Sequence, residues 1–414
     1  MSIKLMILFC LTLVGSILIL CYRKYKKIES PTILITSILS LSIVIIFLQI
    51  ISSVYTIYTG VGSLDMAVTG QVGDFIGGVV GTILTALSIV LLYNTLQAQN
   101  KSSKDQADQF NKSQIENRFF ELLKFHRDNV NEIEFHYTDS LNSLKHVKGR
   151  HFFVTVSKQL EYAFEEFEKF TTYHNIDLND IYEDKYLKEL SDNSLLKDRQ
   201  FTNFYLLAKI DICYLVIFIG VSKNGILEIE ELTKDKYRPN FIADLLEYFR
   251  MKPSKASVYY EIWEKLYINN NLLNNIIAIQ IEREDSQNRN RYLNEHDYYP
   301  DKYNKFYGGH QFRLGHYFRH LYQIVCYLHY NESLDEKEKN NYIRILRGQL
   351  SDYEQKIFFY NSISQLGRVW ELSDSSGKCI ESKDHLITNY NIIKSIKKST
   401  LVDFLRPEEL YSKK

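Results

Sequence analysis

The sequence predicts an all-α protein built from an N-terminal three-helix transmembrane region, a helical stalk and a cytosolic multi-helix domain. Residues 1–100 contain three long uncharged apolar stretches. Beyond them, apolar side chains recur at helical spacing over most of the chain. The 414 residues include 31 Tyr and 24 Phe against 5 Pro and 17 Gly, the composition of aromatic-rich helices with few breaks.

The membrane spans are expected at about 5–22, 33–54 and 75–97. The second and third are long enough to cross a hydrocarbon core of roughly 30 Å at about 1.5 Å per residue, and the first barely so. The cluster Arg23, Lys24, Lys26 and Lys27 follows the first apolar run instead of preceding it, and no small-residue cleavage site closes that run. This is the order of an anchor and not of a signal peptide. Keeping the basic cluster inside places the N-terminus outside and every residue after Asn100 in the cytosol. The loop before the third span carries Asp65 and neither Lys nor Arg, as an external loop can.

In the third span, Gly73, Gly77 and Gly81 stand four residues apart with Gly78 beside them. Such a face allows close backbone approach by another helix, from the same subunit or from a second copy in a homo-oligomer. Asp74 lies inside this run, where a carboxylate deep in lipid costs at least ~2.5 kcal/mol, so it belongs at the headgroup level or against a polar partner.

Residues 101–118 contain no Pro or Gly and continue the third helix as a stalk. Heptad positions Leu92, Leu96, Gln99, Ser103, Gln106, Phe110, Ser113 and Asn117 are mostly polar, which fits a loose bundle better than a tight coiled coil. The cytosolic domain is expected over 119–405, with a tail at 406–414. Its first core stripes are Phe119, Leu123, His126, Val130 and Ile133, then Phe153, Val156, Leu160, Ala163, Phe167 and Phe170. Phe204 to Gly220 is strongly apolar, but Lys209 and Asp211 interrupt it, so it reads as a buried core helix. Helices near 241–250 and 257–267 are separated by Lys252-Pro253. Residues 282–311 lose all periodicity, which marks a disordered or functional connection. A last helix is expected around 386–396.

The whole chain balances 50 basic against 50 acidic residues, and residues 101–414 keep 45 and 47. A general nucleic-acid-binding surface is therefore not indicated, and any such contact must be local. The five cysteines are far apart without a CxxC pair, which is the usage of a reducing compartment. No P-loop, dinucleotide fingerprint, GxSxG or HExxH is present, so enzymes built on those devices are set aside.

Six blocks carry a family resemblance: GDFIGGVVGTILTALSIVLLYNTLQAQ, ENRFFELLKFHRDNV, GRHFF at 149–153, LGHYFRHLYQIV, YIRILRGQLSDYEQKIFFYNS and LITNYNII. Together they resemble the phage abortive infection proteins of the AbiC-like family. Gly348 departs from the Ala expected between the Arg and Gln of RGQLS. The resemblance implies a bacterial cell-membrane protein of anti-phage defence, triggered by a phage-derived protein or nucleic acid. It supplies no catalytic mechanism and no cofactor.

The densest polar constellation is Arg313, His316, Arg319, His320 and Gln323, spaced three, four and seven apart along one helix. Arg313 and His320 also satisfy the loose Arg-x6-His spacing of HEPN-type RNases. There a His would shuttle protons and an Arg would stabilise the phosphorane without a metal. The alternative is hydrogen bonding across a helix interface. His316 and His320 form an i, i+4 pair, but Arg319 beside them and the lack of a third ligand disfavour a metal. His126, on an apolar stripe, reads as a satisfied core histidine. Arg347, Gln349 and Glu354 either pair with the His/Arg face or form a surface row. Three readings stay open on these residues: a membrane-anchored sensor whose oligomeric membrane part carries the output, a membrane-tethered RNase effector, and a non-enzymatic scaffold that recruits another defence component.

Overall fold

The computed structural model describes residues 66–138, 144–193, 196, 200–273, 302–371, 385–394, 396 and 401–411. The first two expected spans, the Arg23 to Lys27 loop and most of the 282–311 connection lie outside the described residues. Two compact units divide the chain, Met1–Ser113 and Gln114–Lys414.

In the first unit, helix α1 spans Met66–Phe75 and a π-helical turn covers Ile76–Val80; helix α2 (Gly81–Glu132) begins there and ends in the second unit. One stretch of this helical run is long and apolar enough to cross a membrane, and none of it is covered by other described residues. The Thr82 hydroxyl donates to the Gly78 carbonyl and that of Thr85 to Gly81 at 2.8 Å, contacts that loosen a helical ladder. The π turn has a geometric consequence for the glycines. Four-residue spacing drifts by roughly 40° per step on a 3.6-residue helix, and a wider turn counteracts that drift. Gly73, Gly77 and Gly81 are thereby kept nearer one face. A Cβ built on any of them, or on Gly78, meets nothing within 4 Å among the described residues.

The second unit is predominantly helical, with one correction to the all-α expectation. Strands β1 (Glu134–Thr138) and β2 (Leu144–Lys148) form an antiparallel hairpin with Phe135 opposite Val147 and His136 opposite His146. Phe135 and Val147 turn toward the core while Glu134, His136, His146 and Lys148 are exposed. That is a period of two, too short here to stand out in the sequence.

Helices α3 (His151–Tyr173), α4 (Leu178–Ile181), α5 (Asp184–Asp192) and α6 (Phe204–Ile219) follow. Next come α7 (Lys223–Thr233), α8 (Pro239–Arg250) and α9 (Tyr260–Ile268). The C-terminal part contributes α10 (Gln311–His329), α11 (Glu336–Arg347), α12 (Asp352–Ile363), α13 (Leu386–Tyr390) and α14 (Pro407–Tyr411). The core forms where α3 packs on α6 and α12, and α12 on α6.

Helix α6 is buried from Leu206 to Ile217, its two charges included. Residues two apart on a helix point to opposite sides, so Lys209 and Asp211 serve different neighbours. Lys209 Nζ reaches Glu168 at 2.8 Å and Asp403 at 3.2 Å. Asp211 accepts from the Tyr237 hydroxyl at 2.6 Å and the Gln365 N–H at 2.7 Å, and pairs with Arg368 at 3.4 Å. Those partners make the interrupted apolar run a core helix.

Past α6, Gly220 (φ +91) and Gly309 (φ +84) adopt backbone that L side chains avoid. An added Cβ on Gly309 would sit 2.2 Å from the Ile219 carbonyl oxygen. This close approach lets His310 N–H donate to Phe218 O at 2.8 Å and Val221 N–H to Tyr307 O at 3.0 Å. The segment leading into α10 is thus fixed against the end of α6.

The last expected helix is shorter than 386–396. Asn391 turns left-handed (φ 49), and Arg347 Nη1 donates to its carbonyl at 2.7 Å, ending α13 at Tyr390.

Candidate functional site

Glu354 begins a junction that draws together four of the sequence blocks. Ser351 caps α12, and the Glu354 side chain returns to Ser351 in a capping box. Its Oε2 accepts from Ser351 N–H at 2.8 Å and from the Ser351 hydroxyl at 2.5 Å. Arg150 Nε lies 3.5 Å from the same oxygen, and Tyr317 Oη donates to Oε1 at 3.5 Å. The carboxylate is 1 % exposed, so the expected surface row does not describe it. Arg150 also donates through Nη2 to Gln349 O at 2.6 Å.

Tyr317 joins this centre to α2. Its ring lies 4.9 Å from the His126 ring and 4.8 Å from Phe153. Burial, with Glu354 adding, holds the Tyr317 phenol well above its usual range. His126 is 3 % exposed, and neither ring nitrogen has a hydrogen-bond partner among the described residues. It is a core histidine as expected, but not a satisfied one. Burial first, then His320 and Arg150, lower its pKa to about 4, so the imidazole is neutral at neutral pH.

The α10 constellation separates by environment. Arg313 Nε donates to Glu134 O at 2.9 Å, and the guanidinium lies 5.2 Å from the Phe135 ring centre. His316 and Arg319 are exposed, and His316 stacks edge-on with Phe312 at 5.3 Å. His320 is half-buried, and burial followed by His316 and Arg319 lowers its pKa. Arg313 therefore serves the hairpin while His320 borders the junction. Of the second motif, Gln349 and Glu354 meet at Arg150, and Arg347 ties α11 to the LITNYN block. Glu371, missed by sequence reasoning, accepts from the N–H groups of Ile387 and Thr388 at 3.1 Å each.

Among the described residues, the group close enough to share a metal ion is Glu134, His136 and His146, with ligand atoms within 4.8 Å of one another. All three are exposed, and Lys148 already balances Glu134 at 3.0 Å. His316 and His320 gain no third ligand there. The junction's acceptors are occupied by Ser351, Arg150 and Tyr317, so its chemistry is that of an interlock between elements.

Comparison with curated proteins and with solved structures finds no match. The α10, α11–α12 and α13 blocks lie within a segment that a family model matches. Residues 309–401 match the family model described as "putative phage abortive infection protein".

Proposed function

We propose that this chain is a membrane-anchored abortive-infection protein of the bacterial cell membrane. Its cytosolic domain senses a phage-derived protein or nucleic acid, and its membrane part carries the output. The observation that carries the reading is the family match over 309–401, which contains the Tyr317 and Glu354 side chains of the junction. The uncovered apolar helix supports the anchor. In this reading three spans place the N-terminus outside and the domain after Asn100 inside, following the basic cluster at Arg23 to Lys27. The glycine face of the third span then packs copies of the chain together.

The junction suits a sensor. It ties α2, the helix that carries the apolar span, to α10 and α12 through His126, Tyr317 and Glu354. A trigger that loosened or tightened these contacts would bias the helix leading to the bilayer. The experiment is plaque counting for a panel of phages on cells with and without the gene. A large fall in plaques for at least one phage is expected. Equal plaquing for every phage, with the protein present in the membrane fraction, would sink the reading.

A further inference from the structure

The chain is neutral as a whole, yet one concave surface is not. A cleft of about 1020 Å³ is bounded by the β1–β2 hairpin, the first turns of α3 and the segments 254–256 and 304–310. Lys145, Lys148, Lys158, Lys255, Lys305 and Arg313 line it, with four histidines and, among the described residues, no carboxylate. Beside it, Glu134 pairs with Lys148 at 3.0 Å. With 50 acidic residues in the chain, a lining without any is a local segregation of charge. Such a cleft focuses a positive potential where an anion would sit.

The cleft also offers more than charge. Tyr162 is 38 % exposed, and its ring stands edge-on to Phe306 at 5.7 Å with Lys255 Nζ 5.4 Å from its centre. An exposed ring flanked by a cation is a stacking platform. Gln159 and Asn304 supply amides for base edges. In the wall, His310 is 3 % exposed, its Nε2 is 2.6 Å from Gln159 Oε1, and its Nδ1 has no partner among the described residues. The Gly220–Gly309 contact, which pins the segment before α10, holds this wall in place.

We propose that this cleft binds a single strand of nucleic acid, with its phosphates along the six cationic side chains and a base on the Tyr162 ring. A duplex hides its base faces, whereas a stacking platform needs unpaired ones. An acidic peptide would satisfy the lysines but leave the ring and the amides without a role. The inference rests on the defence reading only for the source of the strand, which a phage infection would supply.

The test uses the full chain in detergent and fluorescence anisotropy with a short labelled single-stranded RNA of mixed sequence, and the DNA equivalent. Saturable binding that weakens with salt is expected, and Lys158→Ala and Lys255→Ala should each reduce the log–log salt slope by about 0.7. Tyr162→Ala should weaken binding about tenfold with the slope unchanged. Lys337→Ala, outside the cleft, should bind as wild type. Absence of saturable binding, wild-type binding by the lysine variants, or equal competition by poly-glutamate would overturn the proposal. A chain that binds RNA yet protects against no phage would sink the defence reading and leave this one standing. Protection retained by variants that no longer bind would separate the cleft from the defence function.

Discussion

The buried Glu354 carboxylate stands 3.5 Å from Arg150 Nε while its other oxygen faces the Tyr317 hydroxyl at the same distance. One side chain thereby joins the start of α12, the turn before α3 and the middle of α10, and through the Tyr317 ring it reaches His126 on α2. Each of these residues lies in a block singled out from the sequence. Their common meeting point is what the fold adds.

Replacing Glu354 by Ala removes the side chain that closes the α12 capping box and deprives Ser351, Tyr317 and Arg150 of their shared acceptor. Ser351 still caps the helix, but its own N–H loses an acceptor, and a buried donor such as the Tyr317 hydroxyl left without a partner costs roughly 1 to 3 kcal/mol. Thermal unfolding of the purified full chain should therefore begin several degrees lower. An unchanged melting temperature would mean that the interlock contributes nothing to stability.

His126→Phe runs the other way. The imidazole makes no hydrogen bond to the described residues, so an aromatic ring of similar shape gives up no partner against Tyr317 and avoids burying polar nitrogens. Stability should hold or rise, and protection should persist. The same residue predicts a pH effect. In the folded chain His126 and His310 are lowered to about 4 and about 3, mainly by burial, from an ordinary value of 6.5. Below pH 6.5 the unfolded chain binds protons that the folded one does not. Stability is then complete above that pH and falls as pH drops toward 4, by about 3 kcal/mol for His126 alone. Denaturant titrations at pH 7 and pH 5 should show the loss in the wild type and a smaller one in His126→Phe. Equal losses would exclude His126 as a source. A stable His126→Phe without protection would make the imidazole a functional group.

Under the proposed packing of copies through the glycine face, Gly77→Leu should leave the protein in the membrane fraction and remove protection, because a bulky side chain would hold the helices apart. Nothing described lies within 4 Å of that position, so the substitution meets no clash with those residues. Cross-linking in membranes should show fewer oligomers of the variant than of the wild type. Full protection and unchanged cross-linking would assign this face to lipid.

The helices were largely legible because their apolar stripes are long. Phe153 to Phe170 lies along α3, and Lys209 with Asp211 was enough to read α6 as core. The hairpin was not, since five-residue strands carrying His and Lys on one side give a weak alternation. Glu354 stood out as a motif residue, but its burial depends on Arg150 and Tyr317, which arrive from distant parts of the chain. The basic cleft was hidden for the same reason. Its cations are scattered from Lys145 to Arg313 among enough acidic residues to cancel them in any linear count.

The central claim is that this chain stops phage multiplication by sacrificing the growth of the infected cell. Growth curves at low and high phage dose, read together with the burst of progeny per infected cell, test it most directly. Cultures carrying the gene should survive the low dose, arrest at the high dose, and release far fewer phage than control cells. Continued growth at the high dose, or a normal burst from cells whose membranes hold the protein, would contradict it.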